Sequence, residues 1–151
     1  RITEVMYNPS GDEEMEFLEL KNLGDLAVDL SGAYFEGFTF RFADDTWLGP
    51  GQFALLIRDL KKFRRRYPEV EIAGIYEGKL SDRGETVVLR TAGGAVLANV
   101  TYDDENGWPL SADGTGDSLV LAQHDGSAND PQSWRASVDL YGSPGRDDYA
   151  R

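Results

Sequence analysis

Short apolar runs alternate with polar positions along this chain, and turn-forming clusters interrupt them at short, regular intervals. Ile2 to Tyr7 alternates loosely and stops at Asn8-Pro9-Ser10-Gly11, a strong turn signal. Glu16 to Asn22 alternates cleanly, with Phe17 and Glu19 on one face and Leu18 and Leu20 on the other. The stretch from Tyr34 to Phe42 predicts one strand with Phe38, Phe40 and Phe42 on a single face. Phe53 to Ile57 is a continuous apolar run, the pattern of a strand buried on both faces. Further strands are predicted over Ile72 to Tyr76, Thr86 to Arg90, Ala95 to Tyr102, Ser118 to Ala122 and Trp134 to Val138. Gly93-Gly94 turns the second of these back on the third. One helix is predicted over about 59–67: Asp59 can cap it, Leu60, Phe63 and Tyr67 form one apolar stripe, and Pro68 ends it. Leu18, Leu20, Phe53, Leu55, Val88 and Val100 are expected in the core. Many short strands with turn signals between them indicate an all-β sandwich.

At 151 residues the chain is expected to be one domain, over residues 2–147, followed by a flexible polar tail over 148–151. That length can bury a core without staples. With 40% hydrophobic and 28% charged residues it is globular rather than disordered. There are no cysteines, so disulfides and thiolate metal sites are absent. No apolar run approaches the ~18 residues of a membrane span, and no signal peptide is visible. The chain starts at Arg1 inside a predicted strand, which suggests a domain excised from a larger protein whose targeting signals lie elsewhere. The net charge of −12 repels duplex DNA at long range.

The charge is not evenly spread. Lys61, Lys62, Arg64, Arg65 and Arg66 put five of the 15 basic residues on the predicted helix, which leaves ten against 27 acidic residues, or −17, elsewhere. On a helix whose apolar stripe faces the core, these cations point outward. They form a candidate docking patch for an acidic protein, an anionic polymer or lipid headgroups, against the plainer reading of a solvated face paired with nearby acids. Calcium needs only oxygen ligands, and Asp103, Asp113 and Asp117 flank one loop. No EF-hand spacing is present, and Asp and Asn serve turns by bonding nearby amides, so no cofactor is expected. His124 is the only histidine and lies in a loop without a triad motif, and a lone histidine excludes a protein zinc site. Glu16 and Glu19 point to opposite faces of one strand, so they cannot flank a glycosidic bond. Asn99-Val100-Thr101 is a glycosylation sequon lying mid-strand. Trp47, Trp108 and Trp134 sit beside strands or turns and are expected as core plugs rather than as a platform for sugars.

Several motifs in a shared order carry a resemblance. They are Met6-Tyr7-Asn8-Pro9, Glu16-Phe17-Leu18-Glu19-Leu20-Lys21-Asn22, Asp29-Leu30-Ser31-Gly32 and Leu48-Gly49-Pro50-Gly51, then Leu80 to Glu85, Trp108-Pro109, Ala112 to Leu119, Trp134 and Gly142-Ser143-Pro144-Gly145. In that order they resemble a bacterial lamin tail domain over roughly residues 2–147. Where that family usually has Trp after Leu-Ser-Gly, this chain has Ala33-Tyr34. The resemblance implies an immunoglobulin-like β-sandwich of about seven to nine strands with one short inserted helix, and no catalytic activity. It implies that Glu19 matches an acid regularly found in the family, held by backbone amides or an arginine. Similar bacterial domains belong to secreted or membrane-associated proteins, often beside hydrolytic domains, and similar animal domains sit on nuclear lamins and bind proteins and DNA. The resulting expectation is a non-catalytic binding or tethering module of an exported or surface-associated bacterial protein, located outside the cell, in the periplasm or at the cell surface. Its partner would be a protein or surface macromolecule. The alternatives are a carbohydrate- or cell-wall-binding module, which a row of exposed Trp and Tyr would favour, and a hydrolase, which needs a cleft gathering His124 with carboxylates.

Overall fold

The computed structural model describes residues 1–149. The strands are β1 (Ile2–Met6), β2 (Phe17–Lys21), β3 (Val28–Asp29), β4 (Tyr34–Glu36), β5 (Trp47–Leu48), β6 (Phe53–Ile57), β7 (Gly74–Ile75), β8 (Gly84–Arg90), β9 (Val96–Asp103), β10 (Leu119–Leu121) and β11 (Trp134–Ala136). One helix, α1 (Leu60–Arg66), follows β6. Eight strands have three or more residues, and the other three are two-residue pieces, so the all-β sandwich with one inserted helix is the observed architecture.

The main sheet has the order β11-β10-β1-β2-β6-β7, antiparallel except between β6 and β7. The order β4-β8-β9 forms a second sheet, and β3 pairs with β5 in a third. The strand alternation settles which face is which. Val5, Leu18 and Leu56 pair across the main sheet and belong to the principal core with Val87, Leu89 and Val100. The opposite face carries Met6, Phe17 and Ile57 in one row, joined by Leu55 and by Phe63 of α1 in a second cluster. Both faces of β6 are therefore covered, as its unbroken apolar run predicts. The loose alternation of Ile2 to Tyr7 has a cause: the register of β1 shifts between Ile2 and Glu4, a bulge that adds one residue.

Some expectations are corrected. Val88 is half-buried, and its neighbours Val87 (0% exposed) and Leu89 (2%) face the core. Phe53 is also only half-buried, since it starts β6 at the sheet's margin. The Tyr34 to Phe42 run is a hairpin rather than one strand. Phe42 donates its N–H to Ala33 and Phe35 donates to Phe40, around Gly37, which has φ +113°. Of the strand predicted over 72–76, only Gly74–Ile75 pairs, in parallel with Leu56 and Ile57. Helix α1 is capped as expected, with Asp59 Oδ1 accepting from the Lys62 N–H at 2.9 Å, but Leu60 is 44% exposed and only Phe63 is fully buried.

The polar end of the chain is tied down further than its composition suggests. Lys21 Nζ pairs with Asp147 at 2.6 Å, and Arg135 pairs with the buried carboxylate of Asp148 at 2.6 Å. Residues 142–148 thus form a strap over the outer face of β1 and β2. Ala150 and Arg151, the end of the expected flexible tail, lie outside the described residues.

Candidate functional site

The basic helix divides into committed and open cations. Lys62 pairs with Asp12 at 3.0 Å and Glu14 at 3.3 Å, which brings in the acidic run at the first turn. The Arg64 guanidinium donates to the carbonyls of Tyr67, Pro68 and Val70 and closes the turn after α1. Arg66 lies over the Tyr141 ring at 3.7 Å. Tyr141 has φ +71°, uncommon for a side-chain-bearing residue, and is fixed there because its N–H bonds Gly116 and its carbonyl accepts from the Tyr67 hydroxyl. Lys61 and Arg65 are exposed and make no ion pair or hydrogen bond with the described chain.

The acidic loop is built as turns. Asp103 accepts from the Glu105 N–H at 3.0 Å and the Asn106 amide at 3.1 Å, and Asp113 accepts from the Asn8 amide at 2.7 Å. Among the described residues no group of three or more His, Asp or Glu is arranged to hold a metal. Tyr7, whose ring is tilted 33° to that of Tyr102 with centres 4.7 Å apart, has a buried hydroxyl without a partner. Burial and the charge of Asp113 push its ionisation upward.

Besides the Asp148 carboxylate, three glutamates are buried among the described residues. Glu4 (1% exposed) and Glu19 (2%) stand directly opposite each other on β1 and β2. Glu4 accepts from the Ser118 hydroxyl at 2.6 Å, the Ser143 N–H at 2.7 Å and the Ser143 hydroxyl at 3.0 Å. Glu19 accepts from the Thr3 hydroxyl and the Gly145 N–H, both at 2.8 Å. A backbone amide holds Glu19, as expected, but no arginine does. Burial raises both groups well above the carboxylate range, and the charge of Glu4 raises Glu19 further. Glu16 accepts from the Tyr76 hydroxyl at 2.9 Å and the Leu80 N–H at 2.8 Å, with Arg58 3.7 Å away, and burial pushes it up to about 7. These acids act as struts. Glu4 and Glu19 fasten the strap, and Glu16 fastens the chain after β7. The sequence does not mark Glu4 and Glu16 as buried anchors, because Glu4 within β1 and Glu16 just before β2 give no sign of their distant partners. The local hint is an acid beside apolar neighbours, Glu4 before Val5-Met6 and Glu16 between Met15 and Phe17.

A hollow of about 310 Å³ does bring His124 near Glu19 and Asp147. The imidazole makes no hydrogen bond there, and only the backbone carbonyl of His124 is engaged, by the Arg1 guanidinium. With Glu4 and Glu19 bonded as above, no chain of nucleophile, base and orienting group forms among the described residues.

The tryptophans separate. Trp108 and Trp134 are each 5% exposed with ring centres 6.0 Å apart, and are the core plugs expected. Trp47 is 57% exposed on β5, at a cleft of about 930 Å³. The row of exposed aromatics that would mark a flat sugar platform is not formed.

An all-β body of one six-stranded and two smaller sheets, with the buried Glu4, Glu16 and Glu19 bonded within the fold, defines an immunoglobulin-like domain of binding or structural type. The family model described as Lamin Tail Domain matches residues 1–104, and the chain belongs to the lamin tail domain family. The matched region ends at β9, while β10 and β11 complete the main sheet beside β1. No curated protein and no solved structure matches the chain.

Proposed function

We propose that this domain is a non-catalytic docking module of a larger exported or surface-associated bacterial protein, and that it holds an acidic partner protein through α1. The observation that carries the reading is the open face of the helix. Lys61 and Arg65 are exposed and unpaired on a domain whose remaining charge is strongly negative. The acidic body repels the same partner elsewhere and so orients it, while the field of the patch reaches only about 8 Å at physiological salt. Duplex DNA is disfavoured by the same net charge of −12.

Poly-L-glutamate serves as the acidic probe. It is expected to bind the wild type weakly, with affinity falling steeply as salt rises. The Lys61→Glu/Arg65→Glu variant is expected to lose this binding while keeping its melting temperature, because both side chains are exposed and neither makes an ion pair or hydrogen bond with the described chain. Unchanged affinity and salt slope in that variant would reduce α1 to a solvated face.

A further inference from the structure

The cleft beside Trp47 has the makings of a ligand site that is separate from the docking face of α1. Its volume of about 930 Å³ falls in the usual range for small-ligand sites, roughly 300–1,000 Å³. It opens between β5, the segment 69–73 after α1, and residues 144–146 of the strap. One wall is closely packed: Phe40 lies so close to the β7 backbone that a Cβ built on Gly74 would meet its ring at 2.2 Å. Trp47 is more than half exposed, and its ring N–H has no partner. An indole packed like Trp108 or Trp134 would be buried, so this one offers an apolar surface that the fold itself does not use.

The polar lining is also unspent. Glu69 and Glu71 are exposed and make no ion pair or hydrogen bond. Gln52 is oriented by its own turn: its side-chain oxygen accepts from the Gly49 N–H at 2.6 Å, which leaves the amide NH₂ as a free donor. The cleft's cations are engaged elsewhere, Arg41 on the Gly32 carbonyl and over the Tyr34 ring, and Arg146 on Asp139. A strongly anionic ligand would meet Glu69 and Glu71, and a strongly cationic one Arg41 and Arg146. A neutral molecule with an apolar face and a rim of hydroxyls suits every group present.

We infer that this cleft binds a neutral oligosaccharide, with one pyranose ring stacked on Trp47 and its hydroxyls bonded to Gln52, Glu69 and Glu71. The inference goes beyond the docking role of α1 and does not depend on it. Cellohexaose, chitohexaose and maltohexaose are titrated into the domain by calorimetry. At least one is expected to bind saturably, with an affinity insensitive to added salt because the ligand is uncharged. Trp47→Ala is expected to weaken that binding at least about tenfold, and Glu69→Gln/Glu71→Gln several-fold. The Lys61→Glu/Arg65→Glu variant is expected to bind sugar normally, which separates this site from the acidic-partner face.

A second measurement needs no variant. Trp47 is the one exposed tryptophan, so saturating sugar is expected to shield wild-type fluorescence from acrylamide quenching. Three results each overturn the inference: no binding of any of the three sugars at millimolar concentration, full affinity in folded Trp47→Ala, or bound sugar that leaves acrylamide quenching unchanged.

Discussion

Glu4 and Glu19 face each other across two central strands, where like charges directly opposite are unfavourable. Their environment resolves the conflict by favouring the protonated forms. Hydrogen bonds from Ser118, Ser143, Thr3 and Gly145 then hold the carboxyl oxygens in place. The sign of the pH dependence follows. The native state of Glu4, Glu16 and Glu19 binds protons more tightly than the unfolded chain does. As pH rises from the ordinary carboxylate range through the raised native values, the unfolded chain gains ionisation free energy that the folded one lacks, and stability falls. For Glu16 this window runs from 4.5 to about 7. The melting temperature is therefore expected to be several degrees lower at about pH 8 than at about pH 5.5. Glu4→Gln removes one of the opposed charges while its amide can still accept from Ser143. It is expected to flatten the pH profile, and a scan of melting temperature against pH that keeps its wild-type slope would rule out the pair as its source.

At the level of elements, α1 shows how little of a short helix is its own doing. Seven residues are too few to be stable alone. The Asp59 cap starts the helix and Arg64 closes its end, but what holds it is Phe63 packed edge-on against Phe17 at 6.3 Å. β8 teaches a related lesson. Its Val87-Val88-Leu89 run fits two alternation phases equally well, and the wrong one is chosen if Val88 is taken as the inward residue. Pairing with β9 sets the phase by placing Val87 opposite Val100 in the core. Leu89→Ala is accordingly expected to cost about 2–5 kcal/mol. Val88→Ala, on the half-buried face, is expected to cost less than about 1 kcal/mol. Chemical denaturation of the two variants checks the ordering, and equal losses would mean that the second sheet is not seated as described.

The whole molecule carries a net charge of −12, and such self-repulsion opposes compactness. Added sodium chloride is expected to raise the melting temperature by screening it. Calcium chloride at matched ionic strength is expected to do no more, because Asp103 and Asp113 already serve turns and no acidic group among the described residues gathers into a metal site. An additional rise with calcium that a chelator reverses would reveal a specific site at the Asp103–Asp117 loop.

What the sequence determined by itself is what short range encodes. Alternation marked β2, an unbroken apolar run marked β6, the Gly93-Gly94 turn joined β8 to β9, the Asp59 and Pro68 signals bounded α1, and the ordered motifs pointed to the lamin tail family and its all-β sandwich. The outward basic face of α1 was legible too, because five cations beside one apolar stripe leave no other arrangement. Only the tertiary structure decided which of those cations are open, since Lys62 and Arg64 find partners on the first turn and the following turn, and Arg66 on the Tyr141 ring just before the strap. It also decided that Trp47 lies open beside a cleft while Trp108 and Trp134 are buried. The burial of Glu4 was equally hidden, because its anchor Ser143 lies 139 residues away along the chain. A residue's neighbours in sequence report the period of its own strand. They say nothing of which distant surface will close over it, and that closure sets burial, ionisation and the shape of the cleft.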